Sequence, residues 1–247
     1  MDKNLKEYYN KIYYGEKEEI EKDFLFDSKE KVAKFWINWF ERIFNLLKVQ
    51  SAAGKKLLDV GCGDGTFAGY AESKGLRVHG IDFSETAIEK AKKKFPNVKF
   101  SVGDAENLEF ESDFFDYITC NGSLEHVPNM SRALKEMHRS GNENCKYFIL
   151  VPNEDYIMEL FGYKPEEEHL VEIMQPLNQM KSKKGWIKFL NENGFNIERI
   201  LVDNNHFLNP QSSSKKHHII KKIIKPFVPL IPAKFSYQLG FFCTKIK

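Results

Sequence analysis

The sequence predicts an α/β fold built on a parallel sheet, and three observations carry that prediction. Between residues 56 and 152, short apolar runs of strand length alternate with amphipathic segments of helix length. The first of these runs ends in an acid and meets a glycine at every second position, "KLLDVGCGDG", a strand entering a tight turn before a helix. Two further strand-like stretches, "FNIERILVD" and "FSYQLGFFCTKIK", follow near the C-terminal end.

The elements follow in order. Residues 28–48, "SKEKVAKFWINWFERIFNLLK", place Val32, Phe35, Trp36, Trp39, Phe40, Ile43, Phe44 and Leu47 at three- and four-residue spacings, a wide apolar helix face with Ser28 to cap it. "KLLDV" is the first strand, and a helix follows the glycines through "FAGYAESKG". "RVHGIDF" is the second strand and "SETAIEKAKKKF" the second helix of the alternation, with Ser84 as N-cap and Glu85 in the first turn. "VKFSVGD" and "FDYITCNG" are the third and fourth strands, "SRALKEMHRS" a helix and "KYFILVPN" the fifth strand. Residues 153–185 read as irregular, "WIKFLNENG" as a short helix, and "NPQSSSKK" as a loop. The chain divides into an N-terminal helical cover at 1–50, a core at 51–153, an inserted cap at 154–185 and the rest of the sheet, with a basic segment, at 186–247.

Composition bounds the function. Apolar residues make up 42% of 247 positions, enough for a sizeable core, and no run of about 18 apolar residues predicts a membrane span. The N-terminal stretch is polar and lacks an apolar signal core, and the four cysteines are scattered without C-x-x-C pairs. Reduced thiols in a cytoplasmic protein, with no zinc site, are expected. From Asn204 onward there are eight lysines and no acid, whereas residues 1–203 hold 29 basic against 35 acidic residues. An acidic body with a basic tail is not the footprint of a nucleic-acid binder. The basic segment reads either as a solvated surface or as a weak contact with an anionic membrane.

Three carboxylates mark a ligand site. Asp59, two residues before Gly61, would repel a pyrophosphate and suits an ammonium or an ordered water shell. The turn, Gly61-Cys62-Gly63-Asp64-Gly65, matches neither the G-x-G-x-x-G dinucleotide fingerprint nor a P-loop, which would need a following lysine. Its missing side chains are expected to let backbone N–H groups reach the ligand. Asp82, at the tip of the second strand, stands where a carboxylate takes both hydroxyls of a ribose; capping of the next helix is its plainer role. Asp104 ends the third strand, where its carboxylate and the Ala105 N–H can read an adenine edge.

An amino group, a ribose and an adenine without a pyrophosphate describe S-adenosylmethionine. On "LLDVGCGDG", "VHGIDFS", "VGDAENLEF" and "FDYITCNGSLEHVPN", in that order, the chain resembles the class I S-adenosylmethionine-dependent methyltransferases over roughly residues 50–153, in the small-molecule group that carries "EHV". The resemblance implies a Rossmann-like seven-stranded, mostly parallel sheet with helices on both faces and the last strand antiparallel. It places Gly61, Cys62, Gly63 and Gly65 at the methionine part, Asp59 near the ammonium, Asp82 on the ribose, Phe83 against the adenine, and Asp104 with Ala105 on the adenine edge. Asn121 and Ser123 would lie under the sulfonium, and Tyr13 is among the tyrosines of the first segment that could cover the cofactor. "HRSGNENC" departs from the family at a turn far from the site.

Methyl transfer to an oxygen, nitrogen or carbon needs alignment and, for an acidic nucleophile, a base. His126, with Glu125 beside it, leaves the fourth strand where an acceptor would meet the methyl; the alternative is that the pair only fixes its loop. His169 is a second candidate. A small or medium acceptor, such as an oxygen on a sugar, a phosphorylated intermediate or a lipid-like molecule, is expected, with no metal. A nicotinamide-dependent oxidoreductase and a non-catalytic cofactor-binding protein on the same fold are the competing readings.

Overall fold

The computed structural model describes residues 29–49, 52–155, 177–203 and 232–246. Seven strands form one sheet in the order β3-β2-β1-β4-β5-β7-β6: β1 Lys56–Val60, β2 Arg77–Asp82, β3 Lys99–Val102, β4 Phe115–Asn121, β5 Gly141–Pro152, β6 Phe195–Asp203 and β7 Gln238–Lys245. The first five strands pair in parallel, and β7 runs antiparallel to both β5 and β6. This is the Rossmann-like, mostly parallel sheet with one reversed strand that the sequence led us to expect.

The helices are α1 Lys29–Leu47, α2 Thr66–Ser73, α3 Glu85–Lys94, α4 Met130–Ser140 and α5 Lys183–Glu192, with a 3-10 turn at Leu124–His126. Side chains alternate across the sheet, so each strand supplies two cores. Leu57, Val78, Phe100, Tyr117, Phe148 and Phe242 pack under α1, α2 and α3. Leu58, Val60, Ile81, Ile118, Ile149 and Phe241 pack under α4 and α5, whose Leu134, Met137, Trp186 and Leu190 are fully buried.

Several elements depart from the sequence reading. On α1, Trp39, Phe40, Ile43, Phe44 and Leu47 are buried as expected, but Trp36 is 43% exposed and stacks on Phe40. The fifth strand begins at Gly141, not Lys146, because α4 passes into it without a distal turn: Gly141 already pairs with Phe115 across a register shift. Helix α5 starts at Lys183, where Ser182 caps the Gly185 N–H, inside the segment read as irregular. Ser84 caps α3 through the Ala87 N–H, as expected.

Candidate functional site

The parallel register brings the carboxyl ends of β1, β2 and β4 to one edge, and the glycine turn leaves from its centre. Gly61 and Gly65 have φ of +69° and +77°, the left-handed region that favours glycine. What fills the space beside them is the protein itself. A Cβ on Gly61 would stand 2.5 Å from Cβ and Oγ of Ser123, and one on Gly65 would stand 2.5 Å from Cζ of Phe100. At these two positions the glycines are needed for close packing of the turn, a requirement separate from whatever the backbone N–H groups face. The turn is also stapled. The Cys62 N–H donates to the Ile81 carbonyl at 2.9 Å, and the Ser123 hydroxyl donates to the Gly61 carbonyl at 3.1 Å. The Cys62 side chain is buried in the core under α1, α2 and α3, so only its backbone belongs to the turn.

Asp59 faces Gly80 on one side and Thr119 on the other across the parallel ladder, so Asp59 and Thr119 share a sheet face. The Thr119 hydroxyl donates to Asp59 Oδ1 at 2.7 Å, and Asn121 Nδ2 lies 3.4 Å from the same oxygen. Asp59 is 2% exposed. Burial pushes its carboxyl up to about 7, against the pull of those two donors, and the Asp82 carboxylate adds to the rise. Asn121 Oδ1 is buried with no hydrogen-bond partner among the described residues.

Asp82 closes β2. Its Oδ1 accepts from the Ser84 N–H and its Oδ2 from the Gly63 N–H, both at 2.9 Å, so one carboxylate ties the start of α3 to the glycine turn. Burial raises its pKa, with the Ser84, Gly63 and Phe83 N–H groups opposing. The cap of α3 is Ser84 and not Asp82, and each Asp82 oxygen keeps acceptor capacity for a diol. Phe83 is half-buried beside it. Asp104 lies two residues beyond β3 and not at its end; it bridges Asn107 and accepts the Glu106 N–H at 2.9 Å. Ala105 packs partly buried against the core.

The 3-10 turn after β4 carries Glu125, which is buried, and His126. His126 Nδ1 is 2.7 Å from the Leu177 carbonyl. A carbonyl only accepts, so Nδ1 carries the hydrogen and Nε2 is the basic nitrogen of the neutral ring. Nε2 lies 3.6 Å from Glu125 Oε1. The Gln179 N–H donates to the Glu125 carbonyl at 3.0 Å and its side-chain amide to the Val127 carbonyl at 2.8 Å, so residues 177–179 strap the turn. Sequence reasoning missed Thr119, Leu177 and Gln179. Thr119 carried a signal, standing two residues before Asn121 on the same strand face; Leu177 acts through a carbonyl and carried none. Tyr13 and His169 lie outside the described residues.

The edge thus gathers acceptors: the Asp59 carboxylate, the partnerless Asn121 oxygen and the Asp82 carboxylate. That set fits an amino group and a sugar diol, and it would oppose a pyrophosphate. Among the described residues, no group of three or more His, Cys, Asp or Glu is placed to hold a metal.

Residues 58–149 match the family model described as a methyltransferase domain. A demethylmenaquinone methyltransferase of Staphylococcus epidermidis is 42% identical over 108 residues, covering 41% of this chain and 44% of that protein. The match thus spans less than half the length of that relative. Among solved structures, geranyl diphosphate C-methyltransferase of Streptomyces coelicolor, in complex with Mg2+, geranyl diphosphate and S-adenosyl-L-homocysteine, superposes with a TM-score of 0.66 at 13% identity, over 87% of this chain and 80% of that one. Phosphoethanolamine N-methyltransferase 2 of Haemonchus contortus, in complex with S-adenosyl-L-methionine, gives 0.62 at 21% identity, over 85% and 53%. At such identities the likeness speaks for the fold. Family model, sheet order and acceptor-lined edge coincide on one stretch, and residues 58–149 of this chain match a methyltransferase domain.

Proposed function

We propose that this chain transfers a methyl group from S-adenosylmethionine to a small or medium acceptor. The observation that carries the proposal is the convergence of Asp59, Asp82 and Asn121 at adjacent strand ends around one glycine turn. The cofactor supplies a methyl on a positively charged sulfur, an electrophile that needs only alignment and a dry approach. Asp59 and Asn121 face its ammonium and Asp82 its ribose. Phe83 lies against the adenine, and Asp104 with Ala105 at the adenine edge. The turn Gly61–Gly65 and Ser123 border its methionine part.

His126 is the base. Its tautomer is set by the Leu177 carbonyl, which leaves Nε2 to take a proton from the acceptor, with the Glu125 carboxylate beside it to stabilise the imidazolium. The relatives' name gives demethylmenaquinone as their acceptor, and this favours the lipid-like member of the acceptor classes over a sugar or a phosphorylated intermediate. The basic C-terminal segment, most of which lies outside the described residues, would then serve as a weak contact with an anionic membrane. All four cysteines are buried and free, the state a reducing cytoplasm maintains.

The test is to incubate the full chain with methyl-labelled cofactor and fractionated cell extract, lipids included. Label is expected in one extractable fraction, falling about 10²–10⁴-fold with His126→Ala while uptake of S-adenosylhomocysteine stays within about twofold. Cofactor uptake without transfer to any fraction would favour a non-catalytic binding protein. Uptake of a reduced nicotinamide, seen by its fluorescence, would favour the oxidoreductase.

A further inference from the structure

A buried acid beside a hydroxyl with two acceptors in reach can hold or release a proton without stranding a polar atom. Thr119 has one hydroxyl hydrogen; Asp59 Oδ1 lies 2.7 Å and the Leu58 carbonyl 3.4 Å from its oxygen. With Asp59 ionised, the hydrogen points to the carboxylate. With Asp59 neutral, the carboxyl O–H donates to Thr119 Oγ1 and the threonine hydrogen turns to Leu58. Both arrangements satisfy groups that are essentially closed to solvent.

We propose that Thr119 is a positioning residue that lets Asp59 give up its proton to solvent when the cofactor's ammonium arrives, so that uptake of the cofactor releases a proton. This rests on reading the edge as an S-adenosylmethionine pocket, and adds to it a charge state that the pocket changes on loading.

The surroundings favour the neutral acid while no cation is present. The titratable groups that reach Asp59 from the packed elements are Asp82 from β2, the Cys62 thiol from the glycine turn and the Cys120 thiol from β4. Asp82 carries the same sign, and both thiols are held well above their usual range, hence neutral. Glu125 also bears on Cys120, again as an acid. No lysine, arginine or histidine stands among the groups that act on Asp59 among the described residues. An ammonium placed between Asp59 and the partnerless Asn121 oxygen supplies the missing positive charge, and the carboxyl ionises. The bond that breaks is the carboxyl O–H; its proton leaves to bulk water, and charge balances against the incoming cation.

The experiment is calorimetric titration of the full chain with S-adenosylhomocysteine, in buffers of different ionisation enthalpy, from pH 5.5 to 8. Release of close to one proton is expected at pH 6, fading toward pH 8, with affinity rising about thirtyfold over that range from an acid that titrates near 7. Methylthioadenosine, which has no ammonium, should bind without releasing a proton. Thr119→Val should move the fall in uptake to higher pH, and Thr119→Ser should restore the wild-type pH profile. Tight uptake of S-adenosylhomocysteine with no proton released at pH 6, or the same release on methylthioadenosine, overturns the proposal and leaves the cofactor reading standing. No uptake at any pH overturns the cofactor reading itself. The wild-type proton count decides the matter even if the valine variant does not fold.

Discussion

Asp59 is expensive to the empty protein. Its carboxyl titrates near 7 when folded and near 3.8 when unfolded, so between those values the folded state holds the extra proton and stability falls as pH rises. Asp59→Asn removes that loss. We expect the variant to match the wild type near pH 4 and to exceed it at pH 8 by up to about 4 kcal/mol, read from urea midpoints without ligand. Gly65→Ala should act oppositely at every pH. It places a Cβ against Phe100 in a left-handed conformation and should cost about 1–3 kcal/mol with no change in denaturant slope. Single residues were legible where chemistry follows from position on the chain. Asp59, Asp82 and Asn121 stand at or next to strand ends, and a strand end is visible in the apolar pattern. Thr119 offered only its place two residues before Asn121, because its partner is set by cross-strand register, which a single strand does not reveal.

At the level of elements, α4 acts as a clamp on the segment that carries Asp104 and Ala105. Arg139 forks onto Glu136 at 2.8 and 3.0 Å and donates to the carbonyls of Leu108 and Phe110 at 2.9 and 2.8 Å, while Glu136 accepts the Leu108 N–H at 3.0 Å. Arg132 adds a bond to the Glu106 carbonyl at 2.9 Å. Arg139→Ala should lower stability by about 1–3 kcal/mol and speed amide exchange across residues 104–112 more than in β1 or β4. The helix itself was plain from "SRALKEMHRS", but its abrupt passage into β5 was not. A run of Gly, Asn and Glu reads as a turn, and pairing with Phe115 overrides that propensity. The exposed Trp36 is the converse case: spacing put it on the apolar face of α1, yet it stays 43% exposed and packs along its own helix against Phe40.

Across the whole molecule, the alternation of strand and helix was readable because a parallel strand buried on both faces is a continuous apolar run. The reversed direction of β7 followed from the resemblance, and its place between β5 and β6 did not, since nothing in the pattern of β6 or β7 names its neighbour. The same two-sided burial encloses every thiol. Cys62, Cys120, Cys145 and Cys243 are all buried, and burial lifts each pKa, that of Cys145 to about 12. A disulfide-exchange reagent should therefore label the native protein only as fast as it opens, and label four groups at once in denaturant. Fast labelling of one thiol under native conditions would show a local opening and locate it.

Strand β7 leaves the ribosome after β6 yet sits between β6 and β5. While it is still in the exit tunnel, its two future neighbours must be held apart, with Val151 and Leu201 on ladders that nothing yet occupies. A nascent chain stopped before Gln238 would thus display two sticky margins at once, and such fragments should be the ones that chaperones retain.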